Sequence, residues 1–243
     1  DIRLSFNNIT FNYEEGADVL HNINLQVNSQ EKVTFVGRTG VGKTTLFKLI
    51  MGLIKPTEGN ITINGIDVYN IPNSEKRNIF GYVDQSFHLI KGTVAEQISL
   101  QDESITRDQI ENALEFVGMA DYVASLEKGC DTQVIGDTLF SQGQKQLLAI
   151  ARAIVTDPPI LLLDEITANL DSITEERIVS VLQKAGQAHT ILSISHRLSS
   201  MIASDTVVIL ENGRVKSVGS PEVLLQKDDW YRSHIALEKL TWS

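Results

Sequence analysis

A glycine-rich segment at residues 37–44 constrains the fold of this chain more than any other feature. It reads Gly-Arg-Thr-Gly-Val-Gly-Lys-Thr and satisfies the pattern Gly-x-x-x-x-Gly-Lys-Ser/Thr. Residues 32–36 before it are a mostly apolar run, with Val33, Phe35 and Val36, and predict a buried strand. Residues 44–51 after it have the apolar spacing of a helix. Such a strand–turn–helix brings backbone amides together at the positive end of the helix, where they bind an anion. The segment therefore predicts a phosphate-binding loop in an α/β fold.

The residue types in this loop indicate its chemistry. Its glycines permit turn geometries that are closed to other residues. Lys43 is predicted to reach the β- and γ-phosphates of a nucleotide, and the Thr44 hydroxyl is predicted to ligate Mg2+. An ordinary glycine-rich turn is the alternative, and the Lys-Thr pair disfavours it. The residues predicted to contact the phosphates are Gly37, Arg38, Thr39, Gly40, Val41, Gly42, Lys43, Thr44 and Thr45.

Two adjacent carboxylates follow a second apolar run. Residues 160–163 come after two prolines and predict a strand that is buried on both faces of a parallel sheet. Asp164, at the end of this strand, is predicted to join the Mg2+ shell. Glu165 is predicted to act on a water in line with the γ-phosphate, either as general base or by orienting it. A solvated acidic turn explains the pair alone equally well. Its combination with the phosphate loop favours the catalytic interpretation.

A third segment, Phe-Ser-Gln-Gly-Gln at residues 140–144, opens an amphipathic helix. A serine cap followed by glycine leaves backbone amides at the helix start, which is a second anion site without a lysine of its own. The three segments in this order resemble the nucleotide-binding domain of ATP-binding cassette (ABC) proteins, whose signature Leu-Ser-Gly-Gly-Gln is altered here at Phe140 and Gln142. The resemblance implies that Ser141 and Gly143, with Gln144, contact the ATP of the opposite subunit. A plain helix cap is the alternative.

The resemblance extends to four weaker marks. Gln85 resembles the glutamine that reaches Mg2+ and the attacking water, and His196 resembles the histidine that contacts the γ-phosphate. Tyr13 resembles the aromatic residue that stacks on adenine, and residues 168–171 resemble the loop that links the two sites of a dimer. The corresponding alternatives are a surface glutamine, a structural histidine, a core aromatic, and a helix N-cap by Asp171.

Composition excludes several classes of protein. The 243 residues carry a formal net charge of −10, which argues against a nucleic-acid groove. The single cysteine, Cys130, excludes an internal disulfide framework. No stretch approaches the roughly 20 apolar residues of a membrane-spanning helix. Because Asp1 rather than methionine comes first, we expect an excised C-terminal domain of a longer chain.

The order of strand and helix signals, with the resemblance, predicts an α/β fold of the P-loop NTPase (RecA-like) class. It has a mostly parallel sheet core, an antiparallel β subdomain and an inserted α-helical subdomain. Residues 1–84 and 158–243 are predicted to form the ATP-binding core, and residues 85–157 the inserted lobe. The Asn-Gly pair at residues 212–213 predicts a hairpin between residues 206–210 and 214–218. Residues 228–243 carry no clear signal.

The resemblance implies an Mg2+-dependent ATPase that drives an exporter-type membrane transporter, with Lys43, Gln85, Glu165 and His196 as its catalytic residues. Residues 87–98 look like the exporter-type stretch, with Gln97 in place of asparagine. The implied partners are a transmembrane domain, either upstream of Asp1 or a separate subunit, and a second nucleotide-binding domain in a head-to-tail ATP dimer. The implied location is the cytoplasmic face of the cell membrane. Alternatives are a soluble ABC ATPase of DNA repair or chromosome maintenance, and a nucleotide-gated module with negligible turnover.

Overall fold

The computed structural model describes residues 1–14, 18–37 and 43–241, and the chain divides into two compact units. The first unit contains residues 1–76 and 188–243, and the second contains residues 77–187. The strands are β1 (Leu4–Asn12), β2 (Asp18–Val27), β3 (Lys32–Gly37), β4 (Glu58–Ile63), β5 (Ile66–Asp67), β6 (Phe80–Val83), β7 (Gly92–Thr93), β8 (Gln133–Val134), β9 (Ile160–Asp164), β10 (Thr190–Ile194), β11 (Thr206–Glu211) and β12 (Arg214–Gly219). The helices are α1 (Lys43–Ile50), α2 (Asn73–Ile79), α3 (Val94–Ser99), α4 (Arg107–Phe116), α5 (Ala120–Ala124), α6 (Gln142–Ile154), α7 (Ser172–Ala185), α8 (Leu198–Ile202), α9 (Pro221–Lys227) and α10 (Asp229–Thr241).

One sheet of the first unit is antiparallel, in the order β2-β1-β4-β5. Along β1 the side chains of Leu4 and Phe6 are buried and alternate with more exposed neighbours, as expected when one face of a strand packs on a core. The register shifts between Phe6 and Ile9, where Asn8 has a φ of +49°. The shift keeps Ile9 and Phe11 buried after the irregular residue.

Parallel strands in the same unit carry the predicted phosphate loop. β3 pairs in parallel with both β10 and β11, and β12 adds to β11 as an antiparallel neighbour. The buried run Val33 to Val36 explains why β3 is central, because both of its faces are covered. Asn212 and Gly213 both have positive φ, at 50° and 72°, and close the β11–β12 hairpin as predicted.

The second unit combines helices with two parallel strands, β6 and β9. Leu161, Leu162 and Leu163 of β9 are all almost inaccessible, as the apolar run predicted. Helices α3, α4 and α6 each start with a capping box, in which a Ser or Thr accepts from the third amide and a Glu or Gln returns the bond. Local sequence therefore sets where these helices begin.

Parallel strands, a separate antiparallel sheet and a helix-rich segment agree with the predicted α/β class. The proposed lobe boundaries at residues 85 and 157 follow a different division from the two compact units and stay a prediction. Among the described residues, no helix is both long enough and apolar enough to cross a bilayer. Cys130 is partly buried, and burial is the main cause that raises the pKa of its thiol.

Candidate functional site

Lys43 and His196 meet at the carboxyl ends of two neighbouring parallel strands. β3 leads to Lys43, and β10 ends two residues before His196, where the Ser195 amide still donates to the Phe35 carbonyl at 3.3 Å. Lys43 Nζ lies 2.8 Å from His196 Nε2, although the lysine is only 3% exposed. Ammonium groups only donate hydrogen bonds, so Nε2 of the imidazole is the acceptor in this contact. A buried cation and a histidine thus converge where ligands of parallel α/β sheets bind.

The backbone that precedes Lys43 approaches its neighbouring strand closely. A Cβ added to Gly37, the last residue of β3, would lie 2.8 Å from the carbonyl oxygen of Leu210 on β11. Any other residue would therefore displace the strand that delivers the loop. The predicted contacts Arg38, Thr39, Gly40, Val41 and Gly42 lie outside the described residues, as does the side chain of Thr44.

Tyr13 lies beside the start of the helix that follows the loop. Its hydroxyl is 3.1 Å from Oγ1 of Thr45, in the first turn of α1. Its ring packs edge-on against Phe11, with centroids 4.9 Å apart, yet 52% of the side chain is exposed. Tyr13 is therefore not a core residue and offers a ring face next to α1.

In the second unit, Asp164 and Glu165 stand at the end of β9. The Tyr82 hydroxyl of β6 donates to Oδ2 of Asp164 at 3.3 Å. Burial raises the pKa of Tyr82, and the Asp164 carboxylate raises it further, so this hydroxyl stays protonated and donates. Glu165 has a φ of +51°, in the left-handed region that a non-glycine residue adopts only at a cost in free energy. Tyr82 was not predicted from the sequence, and only strand pairing reveals it.

Gln85 is held through its backbone. Its amide donates to Oδ1 of Asp84 at 2.7 Å, and its carbonyl accepts from Nε2 of Gln146 at 3.0 Å. Gln146 is 2% exposed and lies on α6, the helix that starts at Ser141. The exposed Gln85 side chain is therefore carried by a loop that is fastened to α6. Gln146 was missed, although an amide within the apolar face of α6 is a signal that could have found it.

The segment before α6 forms a helix cap. Ser141 Oγ accepts from the Gln144 amide at 3.2 Å, and Oε1 of Gln144 accepts from the Ser141 amide at 2.9 Å. Phe140 is buried and packs at a tilt against Tyr122. A Cβ at Gly143 would overlap the methyl group of Thr174 on α7. Any other residue at position 143 would therefore displace the Thr174 side chain, while Ser141 is exposed.

The loop at residues 168–171 ends in a cap for α7. Asp171 accepts from the amide of Thr174 at 3.0 Å and from its hydroxyl at 2.6 Å. The bond from the Thr174 hydroxyl is the larger cause and the bond from its amide the smaller, and both lower the pKa of Asp171. The predicted N-cap is confirmed, and it is compatible with the dimer-linking role that the resemblance implies.

A groove of about 1000 Å3 runs beside residues 85–91 and 134–137. Gln97 shapes one side, because its buried amide accepts from the Ile90 amide and donates to the Ile90 carbonyl, both at 2.8 Å. Arg152 donates to the Gln97 carbonyl at 2.6 Å, and its guanidinium lies 4.3 Å from the centre of the Phe87 ring. Gln97, which departs from the exporter pattern, therefore has a structural role, because it holds the backbone of the loop at Ile90.

The predicted residues therefore fall into two groups. The first unit brings together Tyr13, Gly37, Lys43, Thr45 and His196, and the second carries Gln85, Ser141, Gly143, Gln144, Asp164 and Glu165.

The parallel strands that lead to Lys43 and His196 in the first unit, and the acidic pair at the end of β9 in the second, are each typical of nucleotide-binding α/β proteins. The chain belongs to the ABC transporter family, whose family model matches residues 20–168. It is 36% identical to an ATM1-type heavy metal exporter of Novosphingobium aromaticivorans over 94% of its own length. It is 34% identical over 96% of its length to the ATP-binding/permease protein of a glutathione/L-cysteine transport system of Bacillus subtilis.

A solved structure of a bacterial Atm1-family ABC exporter with ATP bound superimposes with a TM-score of 0.87 and 35% identity over 97% of this chain. This likeness confirms the predicted fold class. The chain spans 38% and 40% of the two relatives and 41% of the solved chain. It thus corresponds to less than half of each of these proteins.

Proposed function

We propose that this chain binds and hydrolyses ATP and so powers an exporter-type membrane transporter. The observation that carries the proposal is the approach of the buried Lys43 ammonium to His196 at the carboxyl ends of β3 and β10. Lys43 occupies the lysine position of the phosphate-loop pattern, where the ammonium donates to the β- and γ-phosphates of a nucleotide. The ABC transporter family, to which the chain belongs, supports ATP as that nucleotide.

The proposed roles follow from what each side chain can donate or accept. Lys43 donates to the β- and γ-phosphates, and Glu165 accepts a proton from the attacking water that Gln85 helps to orient. His196 contacts the γ-phosphate. Because its Nε2 accepts from Lys43 in this structure, donation to a phosphate requires that Nε2 gains a proton or that the ring turns.

The oxygen ligands proposed for Mg2+ suit this ion. Asp164 offers a carboxylate at the end of a strand, and Thr44 and Gln85 offer a hydroxyl and an amide oxygen. Mg2+ prefers one or two carboxylates together with substrate phosphates. When bound, the ion neutralises charge on the β- and γ-phosphates. Tyr82 holds one oxygen of Asp164 and so orients the carboxylate.

We further propose that two copies close head to tail around ATP, with Ser141 and Gly143 of one copy facing the γ-phosphate of the other. The exposed Ser141 at the start of a 13-residue helix supports this role, because amides and the helix dipole favour an anion there. The transmembrane partner, in the same polypeptide or a separate subunit, is proposed to dock in the groove beside residues 85–91. The chain would then work at the cytoplasmic face of the cell membrane.

The DNA-repair alternative is not favoured, since the relatives named above are exporters and transport components. The module with negligible turnover differs from the proposal in one measurable quantity, the rate of ATP hydrolysis.

Two substitutions test the assignment. Lys43→Ala removes a hydrogen bond to a charged group, worth about 1.5–3 kcal/mol, and should weaken ATP binding about 10- to 150-fold. Glu165→Gln should leave ATP affinity intact and lower kcat by about 10²- to 10⁴-fold, as expected for loss of a general base. The exposed Lys48→Ala and Glu176→Gln are matched controls on α1 and α7. Equal losses of affinity in both test variants would refute the assigned roles.

A further inference from the structure

Helix α10, in the segment without a clear sequence signal, packs beside the backbone that carries His196. Its residues Tyr231 and Ile235 are 0% and 4% exposed and share one apolar cluster with Met201 of α8. Val36, at the end of β3, belongs to the same cluster. The helix is therefore anchored to β3, which precedes Lys43, and to α8, which follows His196.

A second stripe of α10 makes polar contacts with the His196 segment. Oε1 of Glu238 accepts from the Leu198 amide at 2.7 Å. Nε2 of His234 donates to the His196 carbonyl at 3.1 Å. His234 and Glu238 are four residues apart and so lie on one face of the helix. Trp230 stacks on His234, with ring centroids 5.1 Å apart and planes at 16°, which limits the motion of the imidazole.

These two bonds fix the main chain on both sides of Arg197. The amide of Leu198 opens α8, whose first amides have no partner within that helix, and the Glu238 carboxylate supplies one. The His196 carbonyl is held at the same time. The exposed His196 side chain is attached to this held backbone, and its ring contacts Lys43 at the other end.

We propose that Glu238 and His234 are positioning residues for His196. The proposal rests on the proposed function, in which His196 contacts the γ-phosphate. Misplacing a reacting group by about 1 Å from a distance costs up to about 100-fold in rate. Glu238→Ala should therefore lower kcat by up to that factor and leave KM for ATP nearly unchanged, since Tyr13 and Lys43 still hold the nucleotide.

The first experiment is a double-mutant cycle in this 243-residue chain. Glu238→Ala and His234→Ala are made with and without His196→Ala, and Lys239→Ala on the exposed side of α10 is the control. Each positioning variant should lower kcat when His196 is present and have no further effect when it is absent. Glu238→Gln should restore kcat, because its amide oxygen still accepts from Leu198. Equal losses in both backgrounds, or a loss no larger than that of Lys239→Ala, would overturn the proposal.

A second measurement needs neither nucleotide nor turnover. The Cε1–H signal of the His196 ring, assigned by its disappearance in His196→Ala, should shift or broaden in Glu238→Ala and stay in place in Lys239→Ala. An unchanged signal in both positioning variants would overturn the proposal. If His196→Ala instead left kcat unaltered, the role of His196 in the proposed function would be wrong, and the NMR result would still decide whether α10 orients the ring.

Discussion

The buried side chain of Tyr231 carries a hydroxyl group that the surrounding apolar core does not bind. We expect that removal of this hydroxyl stabilises the protein. The residue is 0% exposed, and its hydroxyl has no hydrogen-bond partner among the described residues. A buried polar group without a partner costs about 1–3 kcal/mol. Tyr231→Phe removes that cost and leaves a void smaller than a methyl group, which has a cost of its own below about 1 kcal/mol. We expect a net gain of about 1 kcal/mol, or a rise in Tm of about 2–4 °C for a chain of this size.

The same substitution at Tyr122 is a matched control with the opposite expected sign. The Tyr122 hydroxyl donates to the Leu139 carbonyl at 2.5 Å, just before the α6 cap. Tyr122→Phe loses this bond and should lower Tm by about 2–4 °C, from a net value of about 1 kcal/mol per hydrogen bond. Differential scanning calorimetry of the three proteins at one pH measures both shifts. A fall in Tm for Tyr231→Phe equal to that for Tyr122→Phe would refute the reasoning.

Three further outcomes are expected. Tyr13→Ala should raise KM for ATP about 5- to 150-fold at nearly constant kcat and weaken ADP binding by the same factor, from about 1–3 kcal/mol for base stacking. Tyr13→Phe should change neither value, and an unchanged KM for ATP in Tyr13→Ala would place the ring elsewhere. In sedimentation, Glu165→Gln should dimerise with MgATP but not with MgADP, and adding Ser141→Arg should abolish the dimer; a dimer in the double variant would contradict closure at Ser141. Because the pKa of Asp171 is lowered in the folded protein, its carboxylate stabilises the fold at pH values above its ordinary pKa of about 3.9. This stabilisation is lost as the pH falls through the folded pKa. The Tm deficit of Asp171→Ala should accordingly be present at pH 7 and disappear in acid, and a deficit that is constant with pH would contradict the cap.

Local sequence was sufficient to predict those elements whose conformation is determined within one short segment. The apolar run of β9 and the Asn-Gly turn between β11 and β12 were predicted because burial on two faces and positive φ each demand particular residue types. The cap at Ser141 was predicted for the same reason, since its bonds join residues three positions apart. The residue types of the phosphate loop and the acidic pair were recognised without any contact across the fold.

Only the tertiary structure revealed the contacts between segments that are distant in sequence. Tyr82 reaches Asp164 because β6 and β9 are parallel neighbours, and Gln146 reaches the Gln85 carbonyl because α6 packs beside that loop. Tyr82 has no local pattern that distinguishes it from an ordinary strand tyrosine. The position of Gln146 on the apolar face of α6 marks a buried amide, but it does not indicate the partner of that amide.

Helix α10 shows the difference most clearly. Its sequence has an N-terminal acidic residue and a weak apolar stripe, which determine that it can be a helix but not where it packs. Burial of Tyr231 and Ile235 against Met201 places the helix, and that placement brings Glu238 and His234 to the His196 backbone. The sequence determined the chemical groups of the proposed ATP site. The tertiary structure decided which groups orient them, because such bonds exist only once distant segments share one core.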